Sequence, residues 1–175
     1  HQVYGLSRRI PEDLILDKNF NHIICDLTNF ESISGVIKSL LSKVSKIDLA
    51  ILNAGILGTI ANMKDQSLDD LTKVMNINVW ANKPVIDALL ETVPNTKKVV
   101  AISSGAAING NRGWGGYSIS KAALNMFIKL YASENKNTAF YSFAPGLIDT
   151  PMQDYLCGEE LNVNEFPSAQ KLKDA

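Results

Sequence analysis

Three residues in the middle of the chain can do acid–base chemistry together: Ser104, Tyr117 and Lys121. Val99-Val100-Ala101-Ile102 is a short apolar run that suits a buried strand, and it delivers Ser103 and Ser104 at its end. From Tyr117 onward, Ala122, Ala123, Leu124, Met126 and Leu130 follow a helical pattern. A separation of four residues puts Tyr117 and Lys121 on one helix face, about one turn apart. An ammonium beside a phenol favours the phenolate. The pair therefore predicts a tyrosine pulled below its ordinary pKa of about 10, towards the range where it trades protons at neutral pH.

The flanking elements must position that trio. His1 to Arg9 reads as an extended stretch ending in Ser7-Arg8-Arg9, and Ile23-Ile24-Cys25 is a second apolar run closed by Asp26-Leu27. Ile33, Val36, Ile37, Leu40 and Leu41 recur with helical period. Asp48-Leu49-Ala50-Ile51-Leu52 is a third strand, turned by Asn53-Ala54-Gly55, whose small residues allow close approach to the backbone. Ser67, followed by Asp69 and Asp70, has the cap and acidic first turn of a helix start. That helix is predicted over 67–90, interrupted or kinked around Pro84, with the poor helix formers Asn76 and Asn78 inside it. Ala139 to Phe143 is the last strand, broken by Pro145-Gly146. Strands alternating with helices predict an α/β fold: a doubly wound parallel sheet with helices on both faces, 1–175 forming one domain.

Composition narrows the function classes. Hydrophobic residues make up 46% and charged residues 20%, as in ordinary soluble globular proteins. A net charge of -1 with interspersed signs gives no footprint for nucleic acid or an anionic membrane. No apolar run approaches the roughly 18 residues of a membrane span, so the cytoplasm is the expected compartment. Cys25 and Cys157 have no ligand pattern around them and are expected as reduced thiols. With only His1 and His22 as histidines, no metal site is expected.

Ser104 thirteen residues before Tyr117, Lys121 four after it, Asn53-Ala54-Gly55, Asn78, and Pro145-Gly146-Leu147-Ile148-Asp149-Thr150 resemble, in order and spacing, the motifs of the short-chain dehydrogenase/reductase family. The nearest flavour is the small carbonyl reductases of benzil reductase or sepiapterin reductase type. The resemblance implies a Rossmann-like sheet and hydride transfer between a nicotinamide cofactor and a carbonyl or alcohol. In that pattern Tyr117 is the proton donor and Ser104 orients the carbonyl oxygen. Lys121 lowers the phenol pKa and holds the nicotinamide ribose, and Asn78 holds a relay water. Tyr117 and Lys121 thus count among the cofactor-binding positions too. Asp26 and Leu27 fall beside the adenine, although Asp26 can equally cap the following helix. Asn53, Ala54 and Gly55 fall at the adenosine end, and Pro145, Gly146, Ile148 and Thr150 at the nicotinamide carboxamide. Trp114 resembles a wall of the substrate pocket or a local anchor of its loop, and 151–175 resembles a mobile cover. Ser7 followed by Arg8 and Arg9, where an acidic residue would favour NAD, suits a ribose 2′-phosphate and so NADP(H).

The family pattern places the opening stretch at its second strand. Its first strand, glycine-rich turn and first helix, about thirty residues, and its final strand are therefore expected outside these residues. Gly105, Gly110, Gly113, Gly115 and Gly116 cluster after the serine strand, without a G-x-G-x-x-G that opens a helix. The expected partner is a small molecule, with a homodimer or homotetramer formed through the helices of 67–92 and 117–133, because the second is apolar almost all round. Three rivals stand beside this reading. Gly116-Tyr117-Ser118-Ile119-Ser120 approaches a hydrolase elbow but lacks the closing glycine and a later histidine. A family member without its glycine-rich turn would be a non-catalytic binding or oligomerising module. The same site can also run dehydration or epimerisation.

Overall fold

The computed structural model describes residues 1–157 and Phe166. Five parallel strands alternate with helices: β1 (Val3–Ser7), β2 (Phe20–Ile24), α1 (Phe30–Leu40), β3 (Ala50–Leu52), α2 (Leu68–Met75), α3 (Asn82–Thr92), β4 (Lys98–Ile102), α4 (Gly115–Glu134), β5 (Ala139–Phe143) and α5 (Pro151–Cys157). This is the Rossmann-like α/β arrangement that the alternation predicts. The hydrogen bonding divides it in two, β1 with β2 and β3-β4-β5 in that order. Most of the expectation for a covering segment over 151–175 lies outside the described residues.

One core serves both sheets. Val99 and Ala101 of β4, Phe140 of β5 and Leu52 of β3 are buried with Ile33 and Ile37 of α1, Ile86 and Leu89 of α3, and Leu124 and Ile128 of α4. Tyr4 and Leu6 of β1 pack against the same cluster. The strands follow their period of two. Ile51, Tyr141 and Phe143, which alternate with the buried positions, are more than half exposed. On the helices the apolar residues recur at three and four, so one stripe of each is buried. Tyr131 of α4 donates to Asp87 of α3 at 2.5 Å and stacks between Phe127 and Phe140, tying α4 to both neighbours.

The helical stretch after Ser67 departs from expectation. Ser67 does cap it, its hydroxyl accepting from the Asp70 N–H at 3.1 Å. The irregularity, however, is a π turn at Asn76–Trp80 instead of a kink at Pro84. The Ala81 N–H reaches back five residues to the Asn76 carbonyl at 2.8 Å. Pro84 falls in the first turn of α3, where a missing N–H costs least. The π turn carries one extra residue and turns Asn78 fully inward.

Ile86 is fully buried at the contact of α3 with α1. Ile86→Ala is expected to lower the unfolding free energy by about 3 kcal/mol through the lost methylenes and the cavity left behind, measured by urea denaturation.

Candidate active site

The parallel registers align the carboxyl ends of the strands. Ser7 pairs with Ile24, Leu52 with Ala101, and Ile102 with Phe143. Asp26, Asn53, Ser104 and Pro145 follow those ends directly, so the candidate residues collect on one rim. In open parallel sheets this rim is where ligands bind.

Ser104 leaves β4 in extended conformation and caps a short 3-10 turn over Gly105–Ala107, its hydroxyl accepting from the Ala106 N–H at 3.2 Å. Tyr117 lies in the first turn of α4, 9% exposed, with the Ser104 hydroxyl close enough to act on its phenol. The two hydroxyls therefore meet across the joint between strand and helix. One turn on, Lys121 is 3% exposed; its ammonium lies 5.5 Å from the Tyr117 ring centroid and donates to the Ile102 carbonyl at 2.7 Å.

The electrostatics correct the expectation of an acidified phenol. Burial raises the Tyr117 pKa above its ordinary value, and the hydrogen bond from Ser104 only partly opposes that rise. The ammonium, aimed at a backbone carbonyl, is itself perturbed: burial lowers Lys121 to about 8. Proximity on a helix face could be read from spacing, but desolvation could not.

Asn78 is fully buried and every polar end of its amide is engaged. Its Oδ1 accepts from the Ile56 N–H at 2.8 Å, and its Nδ2 donates to the Ile56 carbonyl and to the Ser120 hydroxyl, both at 2.9 Å. Ser120 donates in turn to the Tyr117 carbonyl at 2.7 Å. The side chain thus clamps the loop of Asn53, Ala54 and Gly55 onto α4. A Cβ at Gly55 would stand 3.4 Å from the Lys121 nitrogen and 3.5 Å from the Asn78 oxygen, so this loop runs in contact distance of both side chains.

Other candidates find more local partners. The Ser7 hydroxyl donates to the Arg9 carbonyl at 2.6 Å and lies 2.9 Å from His22 Nε2. With its only proton spent on Arg9, Ser7 can only accept from His22, which fixes the Nε2–H tautomer. Asp26 accepts from the N–H and hydroxyl of Thr28, both at 2.9 Å, and these bonds, with Arg8 nearby, lower its pKa. It closes the turn before α1, while Asn29 holds the cap position. Leu27 packs on the core. Gly146 has φ +84, which favours glycine. Ile148 is exposed, and Thr150 receives the Gln153 N–H at 3.4 Å at the start of α5.

Tyr117 backs onto an apolar cluster of Leu57, Ile60, Trp114, Leu156 and Phe166, with the Trp114 and Tyr117 rings 6.0 Å apart. On the opposite side, Ser103, Ser104 and Asn125 line a cavity of about 430 Å³ that does not reach Tyr117. Ser118 and Ser120 lie within α4, so no strand-to-helix nucleophile elbow exists there. Sequence reasoning missed Gln66, which accepts from the Gly116 N–H at 3.2 Å and donates to the Ala61 carbonyl at 3.0 Å, fixing the start of α4. It also missed His22, Ser120 and Asn125, whose types carry no signal without their partners.

Burial of Lys121 has a testable sign. Its folded pKa of about 8 lies below the ordinary 10.5, so the unfolded chain binds the extra proton between those values. The cost of the buried charge is complete below about pH 8 and is relieved as pH rises towards 10.5. Relative to Lys121→Met, the native chain is expected to gain stability across that window, by roughly 3 kcal/mol in total. Thermal melts of both proteins at several pH values read the difference.

Comparison with known proteins gives a consistent answer. Residues 9–160 match the short chain dehydrogenase family. The chain is 33% identical over 161 residues to an uncharacterized oxidoreductase of Schizosaccharomyces pombe, covering 87% of this chain and 63% of that protein. It is 36% identical over 167 residues to the benzil reductase ((S)-benzoin forming) of Bacillus subtilis, covering 87% and 67%. It is 30% identical over 175 residues to the sepiapterin reductase of Bos taurus, covering 94% and 61%. The chain therefore spans a little under two thirds of the length of several curated relatives that it matches. A crystal structure of a short-chain dehydrogenase/reductase from Saccharomyces cerevisiae superposes with a TM-score of 0.88 at 26% identity, over 99% of this chain and 71% of that one. With the strand ends on one rim and a serine, tyrosine and lysine meeting there, the chain belongs to the short-chain dehydrogenase family of oxidoreductases.

Proposed function

We propose that the chain is the nucleotide-binding domain of a cytoplasmic, NADP(H)-dependent carbonyl reductase working through Ser104, Tyr117 and Lys121. The observation that carries this reading is Lys121, buried one turn from Tyr117 on α4 and bonded to the end of the strand that delivers Ser104. Tyr117 donates the proton to the carbonyl oxygen, and Ser104 donates a hydrogen bond that orients the same oxygen. Burial that raises the phenol pKa keeps Tyr117 in its protonated form at neutral pH. The side chain of Asn78 is spent on Ile56 and Ser120, so a relay water beside Lys121 falls to the backbone of the π turn.

The donor set fits a dinucleotide. Arg8 and Arg9 follow β1, where guanidinium groups suit a ribose 2′-phosphate; with the Ser7 proton committed to Arg9, they carry that recognition. Asp26, Leu27, Asn53, Ala54 and Gly55 would hold the adenosine end. Tyr117 and Lys121 would hold the nicotinamide ribose, and Pro145, Gly146, Ile148 and Thr150 the carboxamide. When bound, the nicotinamide supplies the hydride. The likeness to the benzil reductase among the relatives supports an aryl ketone as the substrate class, and the apolar side chains around Tyr117 are compatible with it. Ile119, Met126 and Leu130 form an exposed apolar stripe on α4 near Trp80, which supports a homodimer or homotetramer through these helices.

Tyr117→Phe in the full-length protein is expected to remove at least about 99% of turnover with NADPH and an aryl ketone while nicotinamide fluorescence still reports cofactor binding. Full turnover in that variant rejects the role. Arg8→Ala is expected to raise the KM for NADPH about tenfold or more while moving that for NADH less than about threefold. Equal changes would overturn the NADP assignment.

A further inference from the structure

Two side chains outside the reacting group fasten the end of β4 to α4. The Ser103 hydroxyl, 5% exposed, donates to the Asn125 Oδ1 at 2.7 Å. Asn125 stands one helical turn beyond Lys121, whose ammonium holds the carbonyl of Ile102. The Ser103 N–H meanwhile continues the ladder to the Phe143 carbonyl at 2.7 Å. Ile102 and Ser103, the two residues before Ser104, are thus each tied to α4, and β5 holds the second from its other side.

We propose that Asn125, through Ser103, is a positioning residue that sets where the Ser104 hydroxyl stands relative to Tyr117. The inference rests on the carbonyl reductase reading above for its kinetic consequence but not for its geometry. Ser104 and Tyr117 belong to different elements, so their meeting requires the strand end and the helix to keep one offset. Lys121 ties the strand end to α4 at a single point, the Ile102 carbonyl. The contact at Asn125, one turn along, adds a second tie to the same helix. Asn125 acts as an acceptor here, so the role needs an oxygen at that position and does not need the amide nitrogen. Its amide also borders the cavity of about 430 Å³ beside Ser104, which offers water as a competitor for the Ser103 proton if the contact is lost.

The test uses Asn125→Leu, Ser103→Ala and Asn125→Asp in the full-length protein, each checked for native circular dichroism. Asn125→Leu and Ser103→Ala are expected to lower kcat by roughly tenfold to a hundredfold, with the KM for NADPH within about twofold. Asn125→Asp keeps the acceptor and is expected to recover most of kcat. Tyrosinate absorbance gives a readout independent of turnover. The Tyr117 titration, isolated by difference against Tyr117→Phe, is expected to move upward in Asn125→Leu and Ser103→Ala, because the phenolate loses its Ser104 donor, and to stay in place in Asn125→Asp. An unchanged Tyr117 titration in both disruptive variants overturns the positioning role, as does loss of kcat in Asn125→Asp equal to that in Asn125→Leu. Absence of carbonyl reduction by the unmodified protein, with the Tyr117 titration still moving, rejects the carbonyl reductase reading and leaves the positioning role standing.

Discussion

A lysine ammonium withdrawn from water and given a backbone carbonyl is the interaction on which this structure turns. Lys121 is 3% exposed, and its bond to the Ile102 carbonyl joins α4 to β4. Burying a charge is unfavourable unless it is hydrogen-bonded, and the depressed pKa of Lys121 records that penalty. The core of Val99, Ala101, Leu124, Ile128 and Phe140 beneath it supplies the apolar burial that offsets it.

Around that bond the other parts behave as braces. Asn78 clamps the loop after β3 through Ile56 and reaches α4 through Ser120. Gln66 holds the first turn of α4 through Gly116. Most of these braces are amide side chains bonded to backbone groups. Such contacts fix distance and direction with little net charge, so they brace the surroundings of Lys121 without adding charge to them.

Much of this was legible from residue types alone. The strand before Ser103, the cap at Ser67 and the shared face of Tyr117 and Lys121 each depend on local chemistry, and each is found in place. What stayed hidden depends on tertiary surroundings. The sign of the Tyr117 shift is set by burial, which outweighs the opposing effect of the Ser104 hydroxyl. Asp26 could be read as a ligand group or a cap, and only the fold shows it bonded to Thr28. Pro84 drew attention as the visible helix breaker, yet the break lies where Asn78 must turn inward to meet Ile56. Gln66, Ser120 and Asn125 gave no signal, because an isolated amide or hydroxyl means nothing until its partner is known.

The π turn at Asn76–Trp80 also imposes arithmetic on the gene. An α-helix advances about 100° per residue, so excising a single codon there would restore regular pitch and swing everything downstream around the axis by that amount. Ile86 and Leu89 would then leave α1 while polar neighbours took their place. Spacing between Ser67 and Asn82 is consequently fixed by the fold, whichever side chains fill the exposed positions between them.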